Sequence, residues 1–419
     1  MELITLDNGT RIALEPMKDA MSAAIHIFVA CGSANETEGE EGAAHFVEHM
    51  MFKGSEHYTA KDIAQISDMY GGYMNAFTTK EYTCYHSRAL SEHIPQMLKM
   101  MCDMVCRPLF DDNAASIEKG VICEEIGMYE DSPDDSCYDL LDSLMWKGTR
   151  FAHPILGTRE TVTSMNGKSL ADFTEKNYTP DRIIISICGK FDRDAVISET
   201  EKSFGAKVNR RTAAAPEKPD FSKGMALKRK KTEQTHITIA FPGVSANDAD
   251  RQKAGIFTEI VGGGVSSRLY MRIREELGLV YTVSSFTANY TNCGCVGIGG
   301  GMNPANGKRF FEETLSILDK MKDFSSEDEL YRVKQQIKSA LIMGTEGNPV
   351  SIASFIGKQL LQRNRYDDVK TALSLIDAVT EDDIRTTARR LFDPTAMAVA
   401  VYGSPDARKV YESAVSKYI

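Results

Sequence analysis

Two stretches of this chain, 214 residues apart, end in the same way. In the first, a helix-patterned segment leads to Tyr178-Thr179-Pro180, an apolar run over 183–188, Gly189 and a further helical pattern. In the second, a helix-patterned segment leads to Phe392-Asp393-Pro394, an apolar run over 396–401, Gly403 and again a helical pattern. Pro180 to Gly189 and Pro394 to Gly403 are each nine positions. Proline stops a helix and glycine ends a strand for backbone reasons, so some likeness arises by chance. The shared order and spacing favour two repeats of one α+β domain. A length of 419 residues agrees, because domains of about 100–200 residues would make two or three.

The rest of the pattern fills in these repeats. Short apolar runs at 3–6 and 11–14 flank Asp7-Asn8-Gly9-Thr10, a strong hairpin signal. A third strand is expected over 23–30, helices near 42–52 and 60–70, and strands at 73–77 and 83–88. Long helices are expected at 92–106, 113–130 and 134–146, then a helix at 168–177, a strand at 183–188 and a helix at 194–204. Residues 209–223 lose hydrophobic period and carry Pro216 and Pro219, which reads as a linker. Beyond it come strands at 236–241, 280–287 and 294–299, a helix at 250–261, and helices through much of 304–392. The expected architecture is therefore α+β: domains 1–208 and 225–419 joined by a linker at 209–224, each a mostly antiparallel sheet packed with helices.

Composition narrows the function. Apolar residues make up 42% and charged residues 26%, an ordinary globular balance. No run approaches the ~18 apolar residues of a membrane span, and the first ten residues lack the pattern of a signal peptide. Acids outnumber bases 59 to 49, so a nucleic-acid partner is not expected. Nine cysteines, an odd number, without an export signal predict reduced thiols and a cytoplasmic protein. Met97, Met100, Met101 and Met104 have helical spacing and read as core.

The chemistry concentrates in His45-Phe46-Val47-Glu48-His49. On a helix, residues i and i+4 share a face, so both imidazoles can reach one metal ion. Glu48 borders that face and suits a general base acting on water beside the metal. A surface helix with two histidines is the plain alternative. His57 falls in a loop after Gly54 and is not expected at the metal. Two histidines need a third protein ligand, and the helix expected over 113–130 offers Glu118, Glu124 and Glu125. Glu118 and Glu125, seven apart, lie on one face, with Glu124 roughly 100° from Glu125.

H-x-x-E-H followed by a glutamate 76 positions after the second histidine resembles peptidase family M16, the inverted-motif zinc peptidases that include pitrilysin, insulin-degrading enzyme and the mitochondrial processing peptidase. Glu125 stands 76 after His49. The resemblance implies His45, His49 and Glu125 as ligands of one zinc per chain, Glu48 as base, and Glu118 as a supporting carboxylate. It implies that residues 71–78 form the active-site edge strand, with Asn75, Ala76 and Phe77 contacting a peptide added as a further strand. Residues 266–270 and 274–281 also resemble the family, and imply that Arg274 and Tyr281 hold the peptide or the oxyanion. His236 is the second half's only histidine, so that half cannot repeat the two-histidine site.

The resemblance implies a zinc-dependent endopeptidase that cleaves peptides or unfolded segments in an enclosed chamber. The short members of the family pair as homodimers or heterodimers, so a second M16 chain is an expected partner. The alternative is a non-catalytic or catalytic subunit of a heterodimeric processing peptidase that removes leaders or propeptides.

Overall fold

The computed structural model describes residues 1–205 and 218–403. The linker expected at 209–223 lies mostly outside the described residues, and the helix expected beyond Gly403 lies wholly outside them.

The first sheet has six strands: β1 (Glu2–Thr5), β2 (Arg11–Pro16), β3 (Ser22–Val29), β4 (Tyr73–Thr78), β5 (Thr83–Leu90) and β6 (Ile183–Gly189). Their order is β1-β2-β6-β3-β5-β4. The second has five: β7 (Gly224–Arg229), β8 (Thr235–Pro242), β9 (Val280–Asn289), β10 (Gly294–Met302) and β11 (Ala398–Gly403), ordered β7-β11-β8-β10-β9. Renumbering β2 to β6 as β7 to β11 turns one order into the other. Directions agree too: β2/β6 and β7/β11 are parallel, and every remaining pair is antiparallel. The likeness read from two Pro-to-Gly segments thus extends through both sheets.

The compact units are not the contiguous halves of the chain. One comprises residues 1–126, 153–215 and 344–366, and the other comprises 127–152, 216–343 and 367–419. A boundary at 209–224 separates the sheets but misassigns one helix in each direction. The helix Pro133–Met145 packs on β7, β8 and β11, and the helix Pro349–Arg363 packs on β3 and β6. Both start alike, with a side-chain cap (Ser132, Asn348) followed by proline at the first helical position. Hydrophobic period marks such helices but does not say which sheet they cover.

In the first unit, Pro349–Arg363 explains the uninterrupted apolar run of β3. Ile25, Ile27 and Val29 face the main core, whereas Ala24 and Phe28 on the other face meet Ala353, Ile356 and Leu360 of that helix. A strand covered on both faces loses the alternation of a half-exposed one. The methionine stripe Met97, Met100, Met101 and Met104 lies in the main core. The second unit has its own core, centred on Phe257, Phe310, Phe311 and Phe324.

β4 and β9 each close one end of their sheet. Among the described residues β4 pairs with β5 alone. Its other edge leaves backbone N–H and C=O groups for an added strand.

Candidate metal centre

The helix Ala43–Met51 carries the two-histidine motif. It begins at Gly42, which adopts φ of +91°. A side chain there would also place its Cβ 2.6 Å from the Leu156 carbonyl oxygen. Glycine supplies no capping group, so Glu36 caps from outside. Its carboxylate accepts from the backbone N–H of Gly42 at 3.0 Å and of Ala44 at 2.9 Å. Glu36 is fully buried, which pushes its pKa well up, while those two backbone bonds act in the opposite direction. The helix bearing both histidines is thereby anchored at its first turn.

His45 and His49 stand one turn apart, with ring centroids 4.5 Å from each other. Both turn Nε2 toward Glu125 Oε2, at 3.7 Å from His45 and 3.5 Å from His49. Glu125 comes from the long helix Asp112–Asp131. One donor atom from each of His45, His49 and Glu125 lies within 4.8 Å of the others, the one such group among the described residues. Two imidazoles and a carboxylate match a three-ligand zinc site with a fourth position open. His49 Nδ1 faces Glu118 Oε1 at 2.8 Å, which places the ring proton on Nδ1 and leaves the Nε2 lone pair for a metal. Glu118 Oε2 in turn meets Lys53 Nζ at 2.6 Å.

The electrostatics set the two histidines apart. Burial, then the neighbouring His49, pulls the pKa of His45 down to about 4, so it is neutral and able to ligate near pH 7. Burial also opposes protonation of His49, but hydrogen bonds to Glu125 and Glu118 outweigh it and raise its pKa. Glu125 is lowered, chiefly by its bond to His49. Glu48 is 9% exposed, and burial raises its pKa against the opposing bond from Thr78. A carboxylate tuned upward beside a metal site is suited to accept a proton.

The side chains of the edge strand β4 alternate in exposure. Tyr73, Asn75 and Phe77 are exposed, while Met74, Ala76 and Thr78 are half-buried. Asn75 bonds the Tyr73 hydroxyl at 3.0 Å and accepts from the Ala76 N–H at 2.8 Å. His57 is held by Asp103, at 2.9 Å from its Nδ1, and does not join the metal group.

Arg274 and Tyr281 belong to the second unit. Arg274 lies on a π-helix, Tyr270–Glu276. Such turns are rare and recur at functional sites. Gly278, with φ of +57°, then admits the chain to β9. The turn brings the two side chains together: the Arg274 guanidinium sits 5.4 Å from the Tyr281 ring centroid and 4.7 Å from that of Tyr270. Tyr281 is 72% exposed.

Three residues at this centre escaped the sequence reading: Glu36, Lys53 and Thr78. Glu36 and Lys53 look like ordinary surface charges. Thr78 meets Glu48 only because β4 packs beside the motif helix. In the sequence, Thr78 is only the end of the strand expected over 71–78, with no partner assigned.

The chain belongs to peptidase family M16, the insulinase family: residues 11–159 match its peptidase domain and residues 164–337 match the domain described as the M16 inactive domain. It is 37% identical to an uncharacterized zinc protease of Bacillus subtilis, YmxG, over 93% of this chain and 95% of that one. An uncharacterized zinc protease of Streptomyces coelicolor is 33% identical over 92% of this chain and 86% of its own. The crystal structure of a protease from Helicobacter pylori shares the fold with a TM-score of 0.89, covering 96% of this chain and 99% of that one at 19% identity. No helix among the described residues is long and apolar enough to cross a membrane.

Proposed function

We propose that this chain is a zinc-dependent endopeptidase that hydrolyses peptides or unfolded segments laid as an extended strand along β4. One observation carries the reading. His45, His49 and Glu125 converge their donor atoms, and the same short helix presents Glu48, a buried carboxylate of raised pKa, beside an open sheet edge. Zinc bound by those three residues supplies Lewis acidity toward the scissile carbonyl and lowers the pKa of water at the open position.

The chain's own groups do the rest. The edge of β4 binds the peptide main chain through backbone hydrogen bonds, which do not depend on side-chain identity. Asn75, Ala76 and Phe77 supply the adjoining contacts. Glu48 accepts the proton of the attacking water and returns it to the leaving amine. Glu118, with Lys53 behind it, keeps His49 in the ligating tautomer. Arg274 and Tyr281 are assigned to hold the peptide or the developing oxyanion. Pairing with a second copy or another M16 chain to enclose a chamber belongs to the same proposal. Presence of all four of His45, Glu48, His49 and Glu125 favours a catalytic chain over a non-catalytic partner subunit.

The deciding experiment substitutes Glu48 by Gln. The ligands remain, so zinc content should stay at the wild-type level while kcat on a fluorogenic peptide falls by about 10²–10⁴. Wild-type turnover in this variant would remove Glu48 as the base.

A further inference from the structure

Thr78 closes β4, and its hydroxyl donates to Glu48 Oε2 at 2.6 Å. This is the short distance of a bond to an ionised acceptor. Proton bookkeeping fixes its direction. The fully buried Thr83 gives its own hydroxyl proton to the Cys31 carbonyl at 2.9 Å. An ionised carboxylate can only accept, and at 2.6 Å it is a nearer acceptor for the Thr78 proton than the Thr83 hydroxyl at 3.3 Å. Among the described residues, no other side chain hydrogen-bonds this carboxylate. The terminal torsion of a glutamate is soft and broadly distributed, so an unheld carboxylate rotates. Holding Oε2 stops that rotation and leaves Oε1 to receive a proton.

We propose that Thr78 is a positioning residue for the hydrolysis assigned to Glu48, tying the orientation of the base to the strand that receives the peptide. The main chain of β4 binds substrate along one edge while a side chain of the same strand sets the catalytic carboxylate. This inference rests on Glu48 being the base, and its test keeps the two apart.

The zinc-loaded full chain is compared with Thr78→Val, Thr78→Ser, Glu48→Gln and the Thr78→Val/Glu48→Gln pair. The readouts are kcat and KM on one fluorogenic peptide, zinc content and melting temperature. Valine keeps the shape and removes the donor. It should lower kcat by about 10- to 100-fold, less than loss of the base itself, with KM within about two-fold and zinc unchanged. Serine restores the donor and should return kcat to within about three-fold of wild type. On the Glu48→Gln background, Thr78→Val should cost nothing more. Wild-type kcat in Thr78→Val overturns the proposal. So does a serine variant as impaired as valine, because methyl packing would then be the cause. Should Thr78→Val fail to fold, Thr78→Ala against Thr78→Ser makes the same comparison. An active Glu48→Gln enzyme would instead sink the assignment of the base, whatever Thr78 does.

Discussion

The two units share a strand order and differ in their chemistry. After β3 the chain enters a helix that carries His45, Glu48 and His49; after β8, the strand at the matching place, it enters Arg251–Gly262, which has no histidine. In the first unit, Glu118 and Glu125 meet the histidines, and no residue of the second unit joins a metal-binding group among the described residues. A second difference lies at the centre of each sheet. His26 pairs with Ser186 and Thr238 pairs with Ala400, matching positions 214 apart on β6 and β11. His26 is buried with Nδ1 lacking a hydrogen-bond partner, whereas Thr238 bonds Cys137 Sγ at 3.4 Å. One topology therefore tolerates either set of residues, and activity resides in a handful of side chains placed on it.

The largest expected effect tests whether the second unit takes part in catalysis. Tyr281→Phe should lower kcat by roughly 10²-fold with zinc content unchanged, if its hydroxyl helps hold the oxyanion. Unchanged kcat and KM would make Tyr281 a packing residue and confine the chemistry to the first unit. Next comes the carboxylate behind His49. Glu118→Gln should weaken zinc by about 10- to 100-fold in a chelator competition titration. Equal affinity would mean that the 2.8 Å bond to His49 does not orient the ligand.

A smaller effect concerns stability and acid. Burial, helped by the nearby His86, depresses the His26 pKa to about 3. The unfolded chain takes up a proton there near 6.5 while the folded chain resists, so His26 costs nothing above about pH 6.5 and destabilises the fold as pH falls toward 3. Replacing it by the Thr found at the matching position of the other sheet, His26→Thr, should reduce the loss of stability between pH 7 and pH 5 by about 2 kcal/mol, read from urea midpoints. An identical acid dependence in the two proteins would show that His26 is not buried neutral.

How much of this could be read in advance depends on the range of the interaction. The hairpin around Asn8-Gly9 and the spacing of His45 and His49 are local, and local chemistry marks them. Glu125 was reached only by family resemblance, because helical spacing leaves Glu118, Glu124 and Glu125 in competition. The exchange of Pro133–Met145 and Pro349–Arg363 between units, the Glu36 cap and the Thr78–Glu48 bond depend on tertiary packing, and no residue period records them.

The central claim is that one unit binds the metal and its topological twin does not. Elemental analysis of wild type, His45→Ala and His236→Ala tests it directly. Wild type and His236→Ala should each hold about one zinc per chain, and His45→Ala near none. Full zinc in His45→Ala, or its loss in His236→Ala, would contradict the claim.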